Sequence, residues 1–182
     1  SSLQNEYIEA IRGMVDKVIF NVEADSSTLY DKFMGTDVGG FDMMKKSIND
    51  CVSSGLVVET HVVPMQVNFK HLKSIFEMCY QLGVSKVSIL RLVLQGRALE
   101  NLSLVKLSGE DSREVTKLIK ALKEAYKGKV RIGLPYSDCN CRIYCKAASD
   151  KINVRYDGNV YPCEVFKDDL LNAKLGCEPD NV

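Results

Sequence analysis

LVVETHVVPMQVNFKHLKSIFEMCYQLGVSKVSILRLV, residues 56–93, reads as strand, helix, strand. Residues 56–64 are rich in β-branched side chains and end at Pro64, which cannot donate to a sheet ladder. From residue 68 the period changes. Phe69, Leu72, Ile75, Phe76 and Cys79 fall on one helical face, and Gly83 closes the helix. KVSILRLV (86–93) returns to strand. The stretch between the two strands is long enough for a helical crossover, which permits parallel pairing.

The same alternation extends on both sides. LQNEYIEAIRGM (3–14) places Leu3, Tyr7, Ile8, Ile11 and Met14 on one helical face. KVIFNVEA (17–24) is a strand; a turn follows, and FDMMKKSINDCVSSG (41–55) is a helix closed by Gly55. Downstream, SGEDSREVTKLIKALKEAYKG (108–128) carries a start signal in Ser108 and Asp111 and an apolar stripe of Val115, Leu118, Ile119 and Leu122. KVRIGLP (129–135) is the last strand of the series. This pattern predicts an α/β class with parallel strands, either half of a barrel or a small open sheet, over residues 1–135. Such an array leaves strand edges unprotected, so it reads as the back half of something larger and predicts self-association, either by edge pairing or by two copies completing one closed sheet.

After Pro135 the texture changes. YSDCNCRIYCKAASD is polar and cysteine-rich, KINVRYDGNVYPCEVF reads as a β-hairpin turned at Asp157-Gly158, and residues 168–182 read as a weakly periodic tail. Residues 136–182 are thus expected to form a second, small cysteine-rich β-hairpin domain.

Composition narrows the function classes. The 182 residues are 46% apolar and 26% charged, with 24 basic residues balanced by 24 acidic ones. Zero net charge argues against nucleic acid and anionic membrane as partners. No apolar run is long enough to span a bilayer, and no export leader is visible, though the start could equally be a trimmed one. Seven cysteines in a chain with ample core residues point to a reducing cytoplasm and a metal site rather than a disulfide scaffold.

The metal candidates are Cys139, Cys141, Cys145 and Cys163, spaced C-x-C-x3-C with seventeen residues before the fourth. Four thiolates satisfy tetrahedral zinc or a [4Fe–4S] cluster. Spacing leaves both open, although the lack of C-x2-C pairs disfavours zinc; free thiols or a disulfide are the plainer alternatives. Cys51 and Cys79 read as small buried apolar residues, His71 as solvent-exposed beside Lys70 and Lys73, and Gly39-Gly40 as an ordinary loop.

Cys145, twelve residues, Gly158, four residues and Cys163 resemble the opening half of the SPASM/twitch pattern, C-x9–15-G-x4-C. Cys139 resembles an auxiliary-cluster ligand of that family, and INVRYDGNVYPCEVF resembles its hairpin. The preceding residues are similar to the later βα units of a radical SAM partial barrel: 19–48 the fourth-strand segment, ILRLVLQGRA the sixth, LSGEDSREVTKLI the helix after it. The resemblance implies a partial (β/α) barrel followed by a cluster-binding segment. It implies a radical SAM enzyme that modifies a peptide or protein, or matures a cofactor, through a 5′-deoxyadenosyl radical. Its cofactors are S-adenosylmethionine and an auxiliary [4Fe–4S] cluster, and its electron donor a ferredoxin or flavodoxin. Cys139, Cys145 and Cys163 become cluster ligands, with Cys141 as spare or fourth. Family members hold S-adenosylmethionine against the ends of the fourth to sixth strands, which points to Asn21, Glu23, His61 and the backbone from Leu92 to Gln95.

Two departures count. The C-x3-C-x2-C loop of the catalytic cluster occurs nowhere in the 182 residues, and neither does the second half of the full SPASM pattern. The piece alone is therefore expected to be inactive. Asn21 and Glu23 also suit strand–helix turns, and His61 a hydrogen-bonded core position. The rival from another class is a non-catalytic α/β interaction module with a structural zinc site.

Overall fold

β-branched and apolar runs too short for helices become strands here, and each is followed by an amphipathic segment that folds back over it. The computed structural model describes residues 5–35, 39–94, 96–132, 149, 152–162 and 180–181. The chain divides into two compact units, Ser1–Leu92 with Ser103–Ser137, and Val93–Leu102 with Asp138–Val182.

In the first unit, α1 (Asn5–Ile11) precedes β1 (Val18–Asn21), which is followed by α2 (Ser27–Met34) and α3 (Gly40–Ser53). β2 (Val58–Val62) leads through a 3₁₀ turn (Phe69–His71) into α4 (Leu72–Gln81) and then β3 (Lys86–Ile89). After α5 (Arg97–Glu100), a single turn that belongs to the second unit, and α6 (Leu102–Val105), the first unit resumes with α7 (Gly109–Ala125) and β4 (Val130–Ile132). The four strands form one parallel sheet in the order β1-β2-β3-β4.

Alternation along the strands assigns the two faces. Val22, Ala24, Val58, Val62, Val87 and Ile89 enter a core with Ile48 and Cys51 of α3, Ile75, Phe76 and Cys79 of α4, and Val115, Ile119 and Leu122 of α7. Thr60 shares this face and donates to Cys79 Sγ at 3.6 Å. The residues between them, Asn21, Glu59, His61 and Ser88, lie on the other face. There Asn21 is in register with His61, and His61 with Ser88.

The apolar stripes expected for α4 and α7 are found: Phe69, Leu72, Ile75, Phe76 and Cys79 are buried, as are Val115, Ile119 and Leu122, with Leu118 packed at the margin. Ser108 caps α7 by accepting from the Asp111 amide at 3.0 Å. Cys51 and Cys79 are both buried. Two expectations need correction. α1 ends at Ile11 rather than at residue 14, and of its expected stripe Ile8 is buried while Tyr7 and Met14 are 57% and 81% exposed, Leu3 lying outside the described residues. α2 fills what reads as a turn: Ser26 caps it, and Leu29 and Tyr30 bury its inner face. His71 is exposed, as expected, and is also bonded through Nδ1 to Asp25 Oδ2 at 3.0 Å.

The second unit contains an antiparallel sheet of β5 (Asn153–Val154), β6 (Asn159–Tyr161) and β7 (Asp180–Asn181). The turn at Asp157-Gly158 is present, as the last two residues of a three-residue loop. The Arg155 amide donates to Asn159 O and the Gly158 amide to Arg155 O, both at 3.0 Å, with Gly158 at φ +85°. Asp157 Oδ1 accepts from the Asn159 amide at 3.1 Å and stiffens the loop. Asp180 and Asn181, inside the stretch read as a tail, pair with β6. Cys139, Cys141, Cys145, Cys163 and Cys177 lie outside the described residues, as does Gln95. Among the described residues no helix is long and apolar enough to cross a membrane.

Candidate functional site at the strand ends

Asn21 closes β1 with its side chain exposed. Two residues on, Glu23 continues the same alternation, between Val22 and Ala24, which are sealed in the core. Its carboxyl is therefore carried past the end of the sheet on the face that bears Asn21, His61 and Ser88. Glu23 Oε2 accepts from the Val63 amide at 2.9 Å and from Asn68 Nδ2 at 3.3 Å. Oε1 has no hydrogen-bond partner among the described residues and is not sealed from solvent. Burial pushes the Glu23 pKa up to about 7, against smaller opposing contributions from the Val63 amide and Asn68.

Asn68 is fully buried. It stands just before the 3₁₀ turn, but its side chain folds back rather than capping it. Oδ1 accepts from the Met65 amide at 2.8 Å, and the two hydrogens of Nδ2 serve three acceptors, Glu23 O and Val63 O at 3.1 Å and Oε2 at 3.3 Å, so that one hydrogen is shared. One side chain thus ties the loop after β1 to the loop after β2. A second tie lies beside it: Asp25 Oδ2 accepts from His71 Nδ1 and from Ser74 Oγ at the start of α4. Burial works to raise the Asp25 pKa, but the bonds from Ser74 and His71 and the charge of His71 outweigh it, leaving a net depression.

Farther down the same face, Glu59 is buried and pairs with Lys17 at 3.2 Å, so its charge is compensated. Ser88, 1% exposed, has an Oγ without a hydrogen-bond partner among the described residues. His61 is partly buried between Asn21 and Ser88.

Of the residues singled out from sequence, Asn21, Glu23 and His61 thus share one face at the carboxyl ends of parallel strands, where open α/β sheets commonly hold ligands. Gln95 and the four cysteine candidates fall outside the described residues. Among the described residues no group of three or more His, Cys, Asp or Glu is arranged to hold a metal. Asn68, Asp25 and Ser74 are further members; the one local signal in the sequence was the polar run Asp25-Ser26-Ser27 after β1, whereas Asn68 stands singly, six residues past β2.

No family model and no curated protein matches the chain. Solved structures do. SuiB of Streptococcus suis, bound to S-adenosylmethionine, aligns with a TM-score of 0.62 at 12% identity over 90% of this chain and 39% of that one. A second SuiB structure aligns with a TM-score of 0.64 at 11% identity over 100% and 44%. The chain spans less than half the length of these structures. At such identity the likeness is one of fold: helices over parallel strands, in the arrangement of a protein that binds S-adenosylmethionine.

Proposed function

We propose that these 182 residues are part of a radical SAM enzyme, with S-adenosylmethionine held against the polar ends of β1 to β3. The observation that carries this reading is the placement of Glu23. Its pinned carboxyl offers one unpartnered oxygen on the face that bears Asn21 and His61, in a chain whose fold resembles SuiB with S-adenosylmethionine bound. These residues fit a nucleoside: a carboxylate oxygen accepts from hydroxyl groups, and the exposed amide of Asn21 both donates and accepts. When bound and reductively cleaved, the cofactor supplies a 5′-deoxyadenosyl radical that abstracts hydrogen from a substrate. The chain's own residues orient it. Glu23 accepts its donors, and the Asn68 and Asp25 ties hold the two loops still while it binds.

The finer reading is that the parent enzyme acts on a peptide or protein, or matures a cofactor, and takes electrons from a ferredoxin or flavodoxin. An auxiliary [4Fe–4S] cluster is held by Cys139, Cys145 and Cys163, with Cys141 as spare or fourth. It rests on the C-x12-G-x4-C spacing and on the hairpin that carries Gly158. With no C-x3-C-x2-C loop, the 182 residues bind the cofactor without cleaving it.

Calorimetric titration with S-adenosylmethionine tests the reading. Saturable binding is expected, weakened about tenfold by Glu23→Gln, the loss of one charged hydrogen bond. Absence of saturable binding overturns it. Metal analysis after anaerobic loading tests the cluster: iron and sulfide are expected, lost more fully in Cys163→Ser than in Cys141→Ser. Stoichiometric zinc in colourless protein would put the structural-zinc module in its place.

A further inference from the structure

Glu23 does not orient itself. Its oxygens have been sorted by two neutral donors from elsewhere in the chain, the Val63 amide at 2.9 Å and Asn68 Nδ2 at 3.3 Å, both directed at Oε2. The Val63 donor belongs to a backbone that Asn68 itself holds, since Nδ2 also binds Val63 O and Oδ1 binds the Met65 amide. Asn68 further grips the Glu23 backbone through Glu23 O. Asn68 thus touches each group that fixes the carboxyl, Oε2 itself, the Val63 backbone and the Glu23 backbone, and, fully buried, it does not reach the ligand face.

We propose that Asn68 is a positioning residue for the strand-end site: it pins Oε2 of Glu23, so that Oε1 alone is the oxygen that meets a ligand and exchanges a proton.

The chemistry follows from lone pairs. An oxygen already accepting two N–H bonds is the poorer place for a proton, so protonated Glu23 carries its hydrogen on Oε1. The ligand-facing oxygen is then a donor when the group is neutral and an acceptor when it is ionised. With the Glu23 pKa near 7, both forms are populated around neutral pH. Among the described residues no charged side chain sets that balance. Burial raises it, and only the Val63 amide and Asn68 oppose. Asp25, two residues on, is turned to His71 and Ser74. A ligand presenting hydroxyl or ammonium hydrogens therefore binds more tightly as pH rises through this range.

The ligand class rests on the function proposed above; the coupling of Asn68 to Glu23 does not, and the experiment separates them. In the unaltered chain, the Glu23 carboxyl carbon, the Val63 amide and the Asn68 side-chain amide are followed by NMR across pH. A common midpoint is expected. Flat Val63 and Asn68 signals through the Glu23 transition overturn the proposal without any variant having to fold. Asn68→Ser should move the Glu23 midpoint upward by ~0.5 unit or more through loss of a donor; an unmoved midpoint also overturns it. With S-adenosylmethionine as probe, Asn68→Ser should cost about tenfold in affinity in the wild-type background and nothing further with Glu23→Gln. Additive losses would show that Asn68 acts independently of Glu23 and would sink the proposal. Failure of the unaltered chain to bind this probe, with the common midpoint present, would overturn only the cofactor reading.

Discussion

At the scale of single residues, the raised pKa of Glu23 makes stability depend on pH. Unfolded, the group titrates at its ordinary value of 4.5; folded, it keeps its proton to about 7. Between those values the native state binds more protons than the unfolded state, so stability is full below 4.5 and falls as pH rises through 7. Glu23→Gln should remove that slope. It should match the wild type below the window and exceed it above by ~1–3 kcal/mol, read from urea unfolding on either side. An unchanged slope would mean that the carboxyl is not desolvated. Asp25 acts in the opposite sense and at lower pH: its depressed pKa contributes stability that is lost only as acid takes the pH below the ordinary 3.8. Asn21, Glu23 and His61 were singled out only through the family resemblance, which points to the strand ends; their residue types alone suit turns and a core position equally well. Asn68 was not singled out, because its role depends on a chain reversal that brings it to a carboxyl 45 positions away.

Among the elements, the ends of α3 and α4 repeat one device. After α3 the Gly55 amide donates to Val52 O and the Leu56 amide to Cys51 O; after α4 the Gly83 amide donates to Tyr80 O and the Val84 amide to Cys79 O. Each glycine sits at φ +79°, the left-handed turn that lets the helix close and the next strand begin. Their surroundings differ. A Cβ on Gly55 would meet nothing within 4 Å, whereas one on Gly83 would stand 3.0 Å from Val52 Cγ1. Gly55→Ala should therefore cost about 1 kcal/mol from backbone strain alone, and Gly83→Ala clearly more. Thermal unfolding of the two variants gives the order, and equal losses would show that Val52 yields freely. These glycines were readable in sequence because each follows an apolar stripe. α2 was not: its eight residues offer barely two turns of periodicity, and Ser26-Ser27 reads equally well as a turn.

For the whole molecule, the alternation of strands and helices conveyed the class and the parallel direction, because a crossover of that length admits little else. Half barrel and open sheet share that alternation, so the choice between them was not legible. The sheet of the first unit has β1 and β4 at its two edges, and Ile19 on β1 is 45% exposed. Concentration-dependent association is expected, with Ile19→Lys reducing it; a single monomeric species across micromolar concentrations in sedimentation would refute edge pairing. The two helical cysteines carry a different consequence. Cys51 and Cys79 lie in the core; burial pushes both thiols up, Cys79 to about 11, so neither presents a thiolate to reagent at neutral pH. A maleimide dye entering the folded chain rapidly must therefore attach at Cys139, Cys141, Cys145, Cys163 or Cys177, all beyond residue 138. The native fold has in effect protected its own first unit from alkylation, and slow late labelling at Cys51 and Cys79 becomes a clock for the opening of that core.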